Sequence, residues 1–195
     1  MMPTKPVELL ADALRRTNDV ILRTFEDLPA EVYRWRPDGK GSSLGFIFWH
    51  IARWTDYFQA SFIDVDGSFE SPPPPGAQVW ERERLGELWG FGDARLGLHD
   101  TGTHADEQEL EQLPWPSKEA LIDYARRSFD AAAAAAGQIS DDNFQQVQRS
   151  PRQSPETEPE GTIGSSLMSI LAHNIHHLGE IHCLLGLRNT LQAAA

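Results

Sequence analysis

The sequence predicts an all-α protein, a four-helix bundle with long crossover connections, in which all 195 residues form one domain. Two observations carry this reading. Four long segments place apolar residues at helical spacing. Two long stretches rich in proline, glycine and polar residues lie between them, and no repeat or linker divides the chain. Four long helices joined by one or two long crossovers describe a bundle, which sets metal and ligand sites between side chains on facing helices.

The first segment runs from about Lys5 to Leu28, with Leu9, Leu10, Ala13, Leu14, Val20, Ile21 and Phe25 recurring along it. Thr4 can cap it, Pro6 suits its first turn, and Pro29 stops it. The second runs from about Ser43 to Phe62, capped by Ser42 or Ser43. Its interior, Leu44 to Ile51, is apolar nearly all round, as in a helix buried on most sides. Gly45 in its first turn lowers helix propensity and permits close packing. The third runs from about Ser117 to Ile139, with Pro116 before it and Gly137 near its end. Its alanine run, Ala131 to Ala136, is helix-forming and admits a close neighbour. The fourth runs from Thr162 to about Leu187. There Ile163, Leu167, Ile170, Leu171, Leu178, Ile181 and Leu185 form a wide apolar face.

The connections differ in character. Asp64 to Pro116 holds the prolines Pro72 to Pro75, several glycines, and five acidic residues between Asp100 and Glu111. A short helix is expected around Gln78 to Trp89, and the rest reads as an irregular crossover. Gln148 to Gly161 reads as a loop. Loops this long in a compact domain are commonly functional.

Composition excludes several classes. The formal charge is −12. A field of that sign repels phosphate backbones and anionic lipid surfaces, and no basic patch overrides it, so neither nucleic acid nor membrane is an expected partner. No apolar run approaches the ~20 residues of a membrane span, and Met1 to Leu10 has no secretory pattern. The one cysteine, Cys183, forms no intramolecular disulfide. A cytoplasmic location fits these facts. Ile181, Leu184 and Leu185 around Cys183 suggest a core thiol.

Of seven histidines, four lie between His173 and His182. His173 and His177 are four apart, which puts their Cβ atoms ~5–6 Å apart on one helix face. Two imidazoles so placed can grip one ion at about 2.0–2.1 Å. His176 stands three from His173, so a His173/His176 pair competes with it. His50 supplies a third ligand. It follows the apolar run Phe46 to Trp49, and burying an imidazole there costs free energy unless it finds a partner. The competing reading is a hydrogen-bonded core histidine. His99 and His104 fall in the polar crossover, and His182 points to another face. Glu180, one turn beyond His177, can orient a ligand imidazole or act as a general base. Trp49, Trp54 and Tyr57 suit core packing or a pocket wall. No residue is assigned to an organic cofactor.

Two stretches resemble the DinB/YfiT-like superfamily of metal-binding four-helix bundles. Leu44-Gly45-Phe46-Ile47-Phe48-Trp49-His50-Ile51-Ala52-Arg53 is similar to its second-helix motif, where a histidine follows an apolar run. His173-Asn174-Ile175-His176-His177-Leu178-Gly179-Glu180-Ile181 resembles its late-helix pattern HxxxHxG(E/Q)I. The resemblance implies three metal-binding histidines, His50, His173 and His177, and selects His177 over His176. It also implies a homodimer. Members with assigned chemistry include transferases and isomerases that use low-molecular-weight thiols such as bacillithiol or mycothiol. A related module occurs in enzymes that make sulfur-containing histidine derivatives. The long, proline-rich crossover departs from the shorter members and can reshape the site mouth.

The function expected from these readings is a divalent-metal-dependent thiol S-transferase-like enzyme. The metal favours the thiolate of a low-molecular-weight thiol, which attacks a small-molecule electrophile. Metal-assisted hydrolysis uses the same ligands, and a non-enzymatic metal- or ligand-binding dimer is a third reading. Imidazole ligands suit zinc, nickel, copper and iron alike.

Overall fold

The structure is a computed structural model and describes residues 5–61, 75–148 and 161–193. Thr4 and the stretch 149–160 lie outside the described residues, as does 62–74. Four long helices build the frame: α1 (Pro6–Asp27), α2 (Leu44–Ser61), α6 (Lys118–Ala136) and α8 (Ile163–Ala193). The chain is an all-α four-helix bundle. Between these helices stand the short helices α3 (Val79–Arg82), α4 (Leu85–Leu88), α5 (Glu107–Glu111) and α7 (Asp141–Phe144), and an antiparallel pair β1 (Val147–Gln148) and β2 (Gly161–Thr162). Among the described residues, no helix is long and apolar enough to cross a membrane.

The helix ends follow local chemistry. Pro6 opens α1 and Pro29 follows its end, although the N-cap is Lys5, without a side-chain cap. Ser43, not Ser42, caps α2: its Oγ accepts from Phe46 N at 3.1 Å. The buried Glu111 carboxylate accepts from Ser43 N at 2.7 Å, placing negative charge at that helix N-terminus. Ser117 caps α6 through Ala120 N. Thr162 and Ser165 exchange hydrogen bonds at the start of α8.

Packing places α2 against α6 and α8, and α1 against the same two, so α1 and α2 are diagonal partners. The short connection 28–43 therefore crosses a diagonal, whereas the long one, 62–117, joins neighbours. Its length is not needed to span the bundle. The described part instead lays a second layer of structure on α2, held by aromatic rings. Trp49, fully buried, meets Trp115 at 5.4 Å, Trp80 at 6.0 Å and Phe91 at 6.4 Å between centroids. Edge-to-face pairs like these contribute about 0.5–1.5 kcal/mol each beyond area burial.

Three details correct the sequence reading. The predicted helix around 78–89 is two separate turns, because Arg84 adopts φ 52° between them. A continuous helix would set residues 80 and 85 about 140° apart. The break lets Val79, Trp80 and Leu85 all reach the core. On α1, Leu9 and Val20 share the helical spacing but are exposed. The buried face is Val7, Leu14, Asn18, Ile21 and Phe25. Helix α8 also runs beyond the expected end at Leu187, to Ala193.

A buried ion pair ties α2 to its covering layer. Asp56, fully buried, accepts from Val79 N and Trp80 N at 2.9 Å and so caps α3. It pairs with Arg53 on the same helix, with Nη1 to Oδ2 at 3.3 Å.

Candidate metal centre

Every residue of α2 is buried except His50, Trp54 and Phe58. These stand at i, i+4 and i+8, one stripe along the helix. It is the side of α2 left partly open, and His50 meets α8 from it. On α8 the buried ridge Ile163, Leu167, Ile170, Leu171, Asn174 and Ile181 faces the bundle. His173 and His177 flank that ridge, half-buried.

The three imidazoles converge. Among the described residues, His50, His173 and His177 form the group that can hold a metal ion, each offering a ring nitrogen within 4.8 Å of the others. His50 Nε2 and His173 Nε2 are 3.2 Å apart. Two nitrogens bound tetrahedrally to one zinc lie about 3.3 Å apart, given bonds of about 2.0–2.1 Å. This pair therefore already stands at ligand spacing, and His177 needs to close by no more than about 1.5 Å.

The far side of each ring is committed. His50 Nδ1 donates to Thr101 O at 2.6 Å. His173 Nδ1 meets Asn174 Oδ1 at 3.0 Å. The Asn174 amide hydrogens go to Asn18 Oδ1 at 2.8 Å and Thr55 Oγ1 at 3.1 Å, which fixes its oxygen on His173. His177 Nδ1 lies 2.8 Å from Glu180 Oε2. A carbonyl, an amide oxygen and a carboxylate only accept, so all three Nδ1 atoms carry the proton. His50 and His173 in that tautomer turn bare Nε2 atoms toward each other, His177 stands beside them, and a cation would satisfy the group.

The electrostatics keep His50 and His173 neutral. Burial lowers the pKa of His50 from 6.5 to about 4, against the raising effect of the Thr101 carbonyl. Burial likewise lowers His173 to about 4, opposed by Asn174 and reinforced by His177. At neutral pH an incoming ion would not compete with protons at these two nitrogens. Glu180 is held below its usual value, chiefly by the hydrogen bond to His177.

The remaining candidates separate cleanly. His176 is exposed and outside the converging group, although its ring is 5.4 Å from that of His177. His99, His104 and His182 are exposed. Cys183 is exposed as well, which corrects the expectation of a core thiol. It stands two residues after the fully buried Ile181, and residues two apart on a helix point about 200° apart. Trp49 is core and Tyr57 is buried. Trp54 does border the centre: its ring lies 6.0 Å from His173 and its Nε1 donates to Thr103 Oγ1 at 2.9 Å.

Sequence reasoning missed Thr101 and Asn174. The Thr101 contact runs through a backbone carbonyl, which leaves no mark in a sequence. Asn174 did leave one: it interrupts the apolar ridge four residues after Ile170 and four before Leu178.

Comparison with known proteins bears on the family and the fold. The chain matches the DinB superfamily over residues 13–181. A solved structure described as a conserved protein from Enterococcus faecalis aligns with a TM-score of 0.67 at 18% identity, covering 95% of this chain and 99% of its own. That likeness is one of fold. No curated protein matches the chain.

Proposed function

This chain belongs to the DinB superfamily, and on that premise we propose that it binds a divalent metal through Nε2 of His50, His173 and His177 and acts as a thiol S-transferase-like enzyme. The observation that carries the metal assignment is the convergence of the three imidazoles, with His50 and His173 facing each other through Nε2 and all three Nδ1 atoms set against acceptors. Three histidine nitrogens suit zinc, nickel or iron, and leave coordination positions for a ligand.

A divalent ion, when bound, lowers the pKa of a thiol that coordinates it and so supplies a thiolate nucleophile at neutral pH. In the reaction a low-molecular-weight thiol gives up its proton, its sulfur forms the new bond to carbon, and the leaving group departs with its electron pair. The chain's own groups orient and exclude. Thr101, Asn174 and Glu180 hold the three imidazoles in one tautomer. Trp54 beside His173 and Phe46, 6.1 Å from His50, give the surroundings an apolar wall suited to an apolar electrophile. Glu180 is committed to His177, which favours an orienting role over that of a free base. Cys183 is not assigned as nucleophile, because it faces outward.

The partner we propose is a second copy of the chain. The outer face of α8 exposes Met168, Ile175, Leu187 and Leu191, and α1 exposes Leu9 and Val20. A lone exposed thiol fits a reducing compartment, and we place the protein in the cytosol.

Metal-loaded protein given a panel of electrophiles with and without low-molecular-weight thiols tests the activity. Consumption of both substrates, and of neither alone, supports the transferase. Turnover of an electrophile without thiol replaces it by a hydrolase, and no turnover despite stoichiometric metal leaves a binding module.

A further inference from the structure

Arg53 stands three residues after His50 on α2, and its side chain is 1% exposed. All five of its N–H groups have acceptors. Nη1 donates to Asp56 Oδ2 and to Tyr124 Oη at 3.2 Å, and Nη2 donates to Gln78 Oε1 at 3.0 Å. The other two reach backbone: Nη2 to His99 O at 3.1 Å and Nε to Asp100 O at 2.9 Å. The guanidinium carbon lies 4.8 Å from the centre of the Trp80 ring.

The two carbonyls belong to an unusual turn. His99 and Asp100 have φ of 51° and 55°, the left-handed region that non-glycine residues enter at a cost. Consecutive left-handed residues make the tight reversal that joins Leu98 to Thr101, closed by Thr101 N to Leu98 O at 3.1 Å. Such a conformation persists where its surroundings hold it. Here the next carbonyl along the chain, that of Thr101, accepts from His50 Nδ1.

We propose that Arg53 is a positioning residue for the metal centre: its grip on the His99 and Asp100 carbonyls sets the Thr101 carbonyl on His50 Nδ1 and so fixes the tautomer that turns a bare Nε2 inward. The consequence for metal binding rests on the three-histidine reading above, whereas the consequence for the tautomer does not. A charge partner for Asp56 alone needs no such reach. A lysine supplies that charge, but its single nitrogen cannot bridge Asp56, Tyr124 and Gln78 to two successive carbonyls as a planar five-donor fork does.

Two variants separate this role from simple bracing. Arg53→Lys keeps a cation beside Asp56 and removes the fork. The double variant R53M/D56N removes both charges together, so no lone carboxylate is left buried. The first readout is the His50 tautomer in metal-free protein, from long-range ¹H–¹⁵N NMR of histidine-labelled samples. The second is zinc affinity by competition with a chromogenic chelator. Wild-type His50 is expected wholly as the Nδ1–H form. In the folded variants a measurable fraction moves to Nε2–H and zinc affinity falls about 10–100-fold. His173, held by Asn174, keeps its tautomer throughout. A folded variant that retains the wild-type His50 tautomer, or wild-type zinc affinity, overturns the proposal. If the wild-type protein binds no zinc, the metal reading fails, and the tautomer comparison still decides what Arg53 does.

Discussion

His50 and His173 bring their Nε2 atoms to 3.2 Å although each ring has already placed its proton on the opposite nitrogen. Two facing lone pairs at that distance repel, and either a proton or a cation between them relieves it. Burial makes the proton the weaker candidate at neutral pH, since both rings are lowered to about 4. The folded protein holds these histidines neutral, while an unfolded chain protonates them near 6.5. Their contribution to stability is therefore present above pH 6.5 and lost as pH falls towards 4. With two such groups the slope reaches up to about 2.7 kcal/mol per pH unit. Urea unfolding of metal-free protein between pH 4 and 7.5 measures it, and a flat profile across that window contradicts the neutral, buried pair.

Asn174 links this pair to the core. Replacing it by alanine removes the acceptor on His173 and leaves the buried Asn18 and Thr55 without their shared donor. Stability is expected to fall by about 1–3 kcal/mol and zinc affinity by about 10–100-fold. A loss of stability with unchanged affinity would reduce Asn174 to a core polar contact.

His176 and His177 give a sharper contrast, because they are adjacent in sequence and differ in placement. His177→Ala is expected to lose most of the bound metal, and His176→Ala to retain it. Metal content of the two purified variants checks this, and the reverse order would assign the centre to the wrong histidine.

How far the sequence reached depends on what each feature leaves behind in it. The apolar run Leu44 to Ile51 marks a helix buried nearly all round, and α2 is one. The cost of burying His50 in that run pointed to a partner, and the partner groups are there. The spacing of His173, His176 and His177 left two pairs open, because helix rotation is set by packing against α1 and α2. The turn at His99 and Asp100 was illegible: neither residue is a glycine, so nothing announced the left-handed backbone that carries the Thr101 carbonyl. Cys183 shows the opposite error. Apolar neighbours in sequence suggested burial, but on a helix the angle decides, and its angle faces solvent.

That correction has its own check. Cys183 lies on the α8 face proposed for the second copy, so in protein diluted to monomers it is expected to react with a thiol reagent to one equivalent, and Cys183→Ser should keep the metal. A monomer whose thiol reacts only after denaturation contradicts its outward placement.

Gly45 tests how tightly α2 is seated. A Cβ there would come within 2.3 Å of the Tyr33 ring. Tyr33 is buried, and its hydroxyl donates to Pro116 O at 2.6 Å, so it is not free to swing aside. Gly45→Ala is expected to destabilise by about 1–3 kcal/mol, the range for overpacking. Thermal or urea unfolding reads it, and an unchanged midpoint would mean that the contact relaxes without cost.

The three-histidine centre is tested most directly by elemental analysis of protein purified without a nickel column. Close to one divalent ion per chain is expected, and replacing either His50 or His173 by alanine should abolish it. Full metal content in both variants would contradict the centre formed by His50, His173 and His177.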